Sequence, residues 1–518
     1  MKKSTGSTHT VWMHGIEMPL TTSLSADITC DVCIVGAGLA GLTTAYLLTQ
    51  EGKSVVVLES KEIGSGETGR TTAHLSNALD DRYHNLMQMH GEKGARLAAE
   101  SHTAAIRRIE EIAKKEDIDC DFERIKGYLY QQPGSKPEHL DQELEAVRAL
   151  GFADVVKLQR TPLPTLSDGP CLCFPNQAVF HPLKYLAGLA RAIVDKQGQI
   201  FTNSHVVAFE KAETVHRMKT QAGYTVTANQ VVVATNTPVN DWVTIHTKQA
   251  AYRTYVVGFR MLPGDIPNAL YWDDSDPYHY TRLVKDTHPD SQMGEDRNYN
   301  VLIVGGEDHK TGQEENEQER LDCLERWARE KFPMAGDLLY RWSGQVLEPV
   351  DSLAFIGRNP GEEHVYIATG DSGHGMTHST IAGILITDLI VGRPNAWAPL
   401  YDPARITVNL QSGGEYLKEN LNVAAQYKDY VTPGQVTDAG EIVPGSGSVI
   451  RKGLAKVAVY CDMEGQHHEM SAVCPHLGCI VHWNNVEKSW DCPCHGSRFD
   501  PQGQVLSGPA LVGLSKEI

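Results

Sequence analysis

The feature that most narrows what this chain can fold into is a pair of short cysteine and histidine boxes near its C-terminal end. The first reads Cys474-Pro475-His476-Leu477-Gly478-Cys479 and the second Cys492-Pro493-Cys494-His495-Gly496-Ser497. Taking one cysteine and one histidine from each box gives Cys-x-His, fifteen intervening residues, then Cys-x-x-His. Such a set offers two thiolates to one iron and two neutral imidazoles to another, the ligation of a [2Fe–2S] centre whose potential is raised to roughly −150 to +300 mV. A structural zinc ion is the competing reading, because Cys-x-x-Cys and mixed Cys/His sets also suit tetrahedral Zn²⁺. Six candidate donors exceed the four positions of zinc, whereas the two-iron reading uses four and leaves Cys479 and Cys494 over.

This segment resembles the Rieske domains of respiratory complexes and related ferredoxins. The resemblance implies Cys474, His476, Cys492 and His495 as cluster ligands and a disulfide between Cys479 and Cys494. High-potential members of that family also carry a serine and a tyrosine whose hydroxyls donate to sulfur. Ser497 matches the first, but Phe499 stands where the tyrosine would be. One lost donor lowers the potential, since such hydrogen bonds stabilise the electron-rich reduced state, so an intermediate midpoint is expected.

At the other end, Asp31-Val32-Cys33-Ile34-Val35 runs as an apolar strand into Gly36-Ala37-Gly38-Leu39-Ala40-Gly41, and an apolar-periodic stretch at 42–48 reads as the following helix. A second strand, Val55-Val56-Val57-Leu58, ends in Glu59, eighteen residues after Gly41. Strand, glycines, helix, strand and acid together form a dinucleotide-binding unit. Gly36 makes the tight turn, Gly38 admits the pyrophosphate to the backbone, Gly41 lets the helix pack, and Glu59 accepts from a ribose hydroxyl. The motif itself serves FAD and NAD equally.

Length and charge bound the rest. A chain of 518 residues fits about three structural units. A net charge of −18 without a run of five basic residues argues against nucleic acid or an anionic membrane as partner. The first ten residues are polar with no apolar stretch behind them, and the longest apolar candidate, 381–391, is too short to span a bilayer. A cytoplasmic location is expected, where disulfides are rare, so the proposed bridge rests on the family resemblance. Of eleven cysteines, Cys30, Cys33, Cys120, Cys171, Cys173, Cys323 and Cys461 show no framework and read as reduced packing residues.

Two further stretches favour FAD. Gln230-Val231-Val232-Val233-Ala234-Thr235-Asn236 resembles the strand that closes back on the FAD site of flavoproteins. Val365-Tyr366-Ile367-Ala368-Thr369-Gly370-Asp371-Ser372-Gly373-His374-Gly375-Met376 looks like the closing strand, glycine loop and final helix of the glycine-oxidase, sarcosine-oxidase and D-amino-acid-oxidase superfamily. The resemblance implies flavin contacts at Gly370, Gly373, His374, Gly375 and Met376, at Val206, Ala234 and Thr235, and along Arg70, Thr71, Thr72, Ala73 and His74. In some relatives a histidine near the last of these bonds covalently to flavin; a histidine that merely packs is the plainer reading of His74. Val304-Gly305-Gly306-Glu307 lacks the third glycine and helix of a second nucleotide fold, which argues against an NAD(P)H-fed reductase.

The fold implied is an α/β FAD-binding domain of Rossmann-like, glutathione-reductase type with an inserted α+β substrate domain, followed by a small all-β Rieske domain. The expected segments are 1–76, 176–240 and 351–405 for FAD binding, 77–175 and 241–350 for the helical and sheet parts of the substrate layer, 406–431 as linker and 432–518 as Rieske module. As a whole the chain resembles bacterial flavoproteins that fuse an amine-oxidase-like FAD domain to such a module.

Within the substrate layer, Tyr271-Trp272 and Tyr278-His279-Tyr280 with Arg282 resemble the sheet facing the flavin in amine oxidases, although alternating aromatics also simply bury one face of a strand. Tyr280, Arg282 and Glu348 are the catalytic candidates. Amino-acid oxidases of this group place an arginine where Glu348 stands in Trp342-Ser343-Gly344-Gln345-Val346-Leu347-Glu348-Pro349, with spacing two residues longer here. A carboxylate there attracts a cationic amine; a structural acid is the alternative. A Rieske-fed iron oxygenase would need a facial triad, for which Asp81, His84 and His90 offer roughly the spacing, but His84 and His90 would point about 120° apart on a helix. The expected function is an FAD-dependent dehydrogenase of an amine or amino-acid-like small molecule, with electrons passing through the cluster to an external one-electron acceptor protein or quinone. Reverse electron flow and a non-catalytic redox sensor are the alternatives.

Overall fold

Strands that are apolar on both faces belong in the middle of a parallel sheet covered by helices, and three here meet that description. Ile28–Val35, Val55–Leu58 and Thr225–Val233 lie parallel, with Gln199–Phe201 and Val365–Thr369 extending the sheet to either side. The computed structural model describes residues 5–517 apart from 133, 137, 213, 241–244, 276, 286–298, 408–409 and 435. The helix Leu39–Gln50 packs between Pro182–Asp195 and Gly375–Val391 over this sheet. Val32, Ile34, Leu42, Val57, Val232, Ile381 and Leu385 form the intervening core.

A nine-stranded second sheet, antiparallel except where Leu270–Asp273 runs alongside Glu123–Tyr130, forms the substrate layer. Its strands Gln249–Met261, His279–Lys285 and Leu338–Pro349 carry the aromatic and acidic residues singled out in the sequence. The long helix Tyr83–Lys115 is broken at Gly91, whose φ of 70° lies in the left-handed region that glycine tolerates. Val304 to Glu307 lie within the strand Asn300–Lys310 and lead into no nucleotide-binding helix.

The stretch read as a linker is the helix Leu410–Gln426 followed by the turn Tyr427–Tyr430. It is docked rather than loose: Lys310 reaches Glu419 at 2.5 Å, Gln313 donates to Asn422 at 2.7 Å, and Asn420 donates to the Thr247 carbonyl at 3.0 Å. Beyond it, Ser446–Lys452, Ala455–Cys461 and His467–Ser471 form one small antiparallel sheet. His482–Asn484, Ser489–Asp491, Arg498–Phe499 and Val505–Ser507 form a second, which carries the box residues. Among the described residues no helix is long and apolar enough to cross a membrane.

Candidate flavin and iron–sulfur sites

Close backbone approaches fix two of the loop's glycines. A Cβ on Gly41 would overlap the Gly36 carbonyl oxygen, and one on Gly36 would overlap that of Ala234, so both positions must be bare. At Gly38 the nearest atom is Thr68 Oγ1, 3.2 Å from where a Cβ would stand, which leaves the backbone open to a ligand. Glu59 accepts from the Ala37 amide at 2.9 Å and from the Lys61 amide at 2.9 Å, holding loop and acid together. The helix Leu39–Gln50 takes no cap from Gly38 itself; Thr68 Oγ1 accepts from the Leu39 amide at 3.1 Å, and the helix start lies at a long cavity that begins at this loop.

That cavity runs from Glu59 and Lys61 past Gly36 and Gly38 to Thr71, Thr72, Tyr280, Gly373, Gly375 and Met376. Val206, Ala234 and Thr235 line it as expected. The uncapped start of the helix Gly375–Val391 points at its far end, where a positive helix terminus stabilises an anionic ring. The length of the lining, the open glycine cradle and the two helix N-termini at the cavity fit FAD.

Several expected contacts stand behind the wall rather than on it. Ala73 and His74 lie behind Thr71 and Thr72; burial holds the His74 imidazole neutral, at about 3, and its Nδ1 pairs with Thr72 Oγ1 at 3.1 Å. Gly370 packs against Pro349 and Gln249. His374 accepts from the Asp80 amide at 2.9 Å, again kept neutral by burial. Arg70 lines the wall, but its guanidinium is engaged by the Ser343 carbonyl at 2.5 Å and by Glu487.

The catalytic candidates separate. Tyr280 lines the cavity, with its hydroxyl 3.1 Å from Thr254 Oγ1. Arg282 does not: it donates to the Thr72 and Ala73 carbonyls at 3.1 and 2.6 Å and sits over the Trp12 ring, so it braces the flavin loop instead of meeting a substrate. Glu348 shares the Ser372 hydroxyl with Asp81, at 2.9 and 2.8 Å. Burial, then the neighbouring Asp81, pushes the Glu348 carboxyl well up. Burial likewise raises Asp80, Asp81 and Asp371 to about 6 and Asp308 to about 7. The oxygenase triad is not assembled: Asp81 meets Ser372, His84 meets Glu143 at 3.0 Å, and His90 meets the Asp351 carbonyl at 2.7 Å.

At the two boxes, Cys474 and Cys492 are side by side and buried, and the His476 and His495 rings are 5.1 Å apart and nearly perpendicular. Cys479 and Cys494 are joined in a disulfide that ties the two loops. His495 Nδ1 is buried without a hydrogen-bond partner, and Ser497 bonds to the Cys474 sulfur. An orphaned imidazole nitrogen beside paired thiols suits an iron ligand set.

Sequence reasoning missed the contact between the two sites. His246, buried on the turn His246–Lys248, lies 4.9 Å from the His476 ring and 5.8 Å from the His495 ring. Gln345 lines the flavin cavity and donates to the Gly496 carbonyl at 3.1 Å, one residue from His495. Beneath them, the fully buried Glu487 meets Arg70, Ser343 Oγ at 2.6 Å, Thr8 Oγ1 at 2.6 Å and Arg253 at 3.6 Å, while Arg498 pairs with Asp491 at 3.0 Å. These partners are separated by up to several hundred residues, and no local periodicity announces them.

A dinucleotide fold whose ligand cavity abuts a two-box Cys/His centre defines a flavin and iron–sulfur oxidoreductase. The chain belongs to the FAD dependent oxidoreductase family, which it matches over residues 31–389, and residues 433–516 match the Rieske [2Fe-2S] domain. It therefore binds FAD and, through the C-terminal module, a [2Fe–2S] cluster rather than zinc. It is 30% identical over 514 residues, covering 98% of this chain and 97% of the other, to the putative Rieske 2Fe-2S iron-sulfur protein YhfW of Bacillus subtilis. It is 28% identical to the gamma-glutamylputrescine oxidoreductase of Escherichia coli, over 71% of this chain and 85% of that one. The fold is similar to glycine oxidase from Geobacillus kaustophilus, with a TM-score of 0.58, 17% identity and coverage of 73% of this chain and 99% of that one.

Proposed function

We propose that the protein is a cytoplasmic FAD-dependent dehydrogenase that oxidises a C–N bond of a cationic amine or amino-acid-like compound and delivers the electrons through its cluster to an external protein or quinone. Cys474, His476, Cys492 and His495 hold the cluster in this reading, and the chain divides at the boundaries read from sequence. When bound, FAD supplies two-electron oxidation and the cluster one-electron transfer. The observation that carries the relay is Gln345, which lines the flavin cavity and donates from its side chain to the Gly496 carbonyl beside His495.

Residues of the chain fit the substrate class. Asp80, Asp81, Asp371 and Glu348 crowd the region beside Gly373, and their raised carboxyls gain a counter-charge when an ammonium approaches. Four acids against the nearby Arg82 disfavour a substrate carboxylate on that side. The resemblance to a protein named for gamma-glutamylputrescine points the same way. Tyr280 and Thr254 offer hydroxyls to orient the reacting amine, and the sheet above excludes water. Anaerobic mixing of the holoprotein with a panel of amines tests the reading: loss of flavin absorbance followed by the cluster's reduced-state EPR signal is expected. A flavin inert to every amine, diamines included, would refute it.

A further inference from the structure

We propose that the cluster module supplies part of the FAD-binding site: its segment 505–511 forms the wall that closes the adenosine end of the cavity. The acid that meets the ribose in this fold is Glu59. Around it, Ser60, Lys61, Ser204, His205 and Val206 line the cavity from the flavin portion. The facing wall is Val505, Leu506, Ser507, Gly508, Ala510 and Leu511 of the module.

This contact is built rather than incidental. Lys61 Nζ donates to the Leu506 carbonyl at 3.1 Å, and His205 Nε2 donates to the Leu511 carbonyl at 2.8 Å. Gly508 approaches so closely that a Cβ there would stand 2.8 Å from Val239 Cγ1, which only a bare backbone allows. The same segment reaches the cluster: the Ala510 amide donates to Ser497 Oγ at 3.1 Å, and Ser497 bonds to the Cys474 sulfur. One seven-residue stretch therefore touches the nucleotide cavity on one side and a cluster-bearing loop on the other. By linkage, module docking tightens FAD by the same factor that FAD tightens docking. Flavin exchange requires this wall to move aside. None of this depends on which substrate the enzyme oxidises.

Hydrogen exchange on the full-length, cluster-loaded protein, stripped of FAD and then reloaded, tests the assignment. Amides in 505–511 should slow at least about threefold on FAD binding, while the strands Ser446–Lys452 and Ala455–Cys461 stay unchanged. In a second measurement, the Leu506→Ala, Leu511→Ala double variant should release FAD about tenfold faster with the cluster's EPR spectrum intact, which separates a lost wall from a misfolded module. Exchange in 505–511 that is indifferent to FAD overturns the proposal, whatever the variant does.

Discussion

Replacing Glu487 by glutamine should undock the cluster module without unfolding it. Glu487 is fully buried, belongs to the module, and pairs with Arg70 and Arg253 of the flavin portion. Burial opposes its ionisation, but Arg70, Arg253 and Arg498 together hold its carboxyl well below the usual carboxylate range. Glutamine keeps the volume and an acceptor for Ser343 but strands buried guanidinium groups. Breaking a buried pair in this way costs about 3–5 kcal/mol, against at most about 1 for a surface pair. Because the pair spans the interface, the loss falls on docking, whose equilibrium constant should drop by roughly two to four orders of magnitude. Denaturant titration of the holoprotein reads this: FAD fluorescence should rise at much lower denaturant than the cluster's visible circular dichroism is lost, where wild type shows the two together. Coincident transitions shifted by less than about 0.5 kcal/mol would refute the reasoning. The pH dependence has a definite sign. A carboxyl depressed in the folded state contributes fully above its unfolded value of about 4.3 and loses that contribution as pH falls below it. Wild type should therefore undock in acid below about pH 4, and the glutamine variant should lack that step.

Other consequences are more local. Phe499 is fully buried; Phe499→Tyr, if its hydroxyl reaches sulfur, should raise the cluster midpoint by about 60–130 mV, from about 1.5–3 kcal/mol for a bond to a charged acceptor and 59 mV per decade. An unchanged potential in redox titration would remove the tyrosine argument. His246→Ala removes the flavin-portion ring that packs on His476 and His495 and should slow cluster reduction after flash reduction of the flavin, with FAD content unchanged. Equal rates would show that the ring is packing alone. Since the carboxyls of Asp80, Asp81 and Asp371 sit near 6, they gain charge as pH rises from 5 to 8, so KM for a cationic amine should fall over that window. Asp371→Asn, at a carboxyl that titrates in this window and lines the cavity, should raise that KM and flatten its pH profile; a flat wild-type profile would sink the cationic reading.

What could be read from the chain was what local chemistry dictates. The glycine loop, the apolar parallel strands and the cysteine and histidine boxes are each written in short contiguous stretches, and the structure brings the members of each together. Arg282 shows the limit: a buried arginine among aromatics reads as a substrate clamp, yet its donors are taken by the Thr72 and Ala73 carbonyls. Arg70 was legible as a loop residue but not as half of an interdomain pair, because its partner Glu487 lies 417 positions away. Nothing in the periodicity of either segment encodes that meeting. The same holds for 505–511, which reads as an ordinary edge strand and turn until it is placed against Lys61 and His205.

The position of His246 bears on the direction of electron flow. The imidazole edge of the two boxes is covered by the flavin portion, through His246 and through Gln345 at Gly496. In the relay proposed above, electrons would enter at the histidine side, leaving the rest of the module for an external acceptor. The opposite support of the first box is the turn Tyr427–Tyr430. There Tyr427 and Tyr430 donate to the Leu477 and Gly478 carbonyls at 2.5 and 2.6 Å, and the two residues remain 42% and 37% exposed. A diffusing partner could not reach the buried histidine edge, so under the proposed relay the flavin would serve that edge and an external acceptor would be left the first box's outer face.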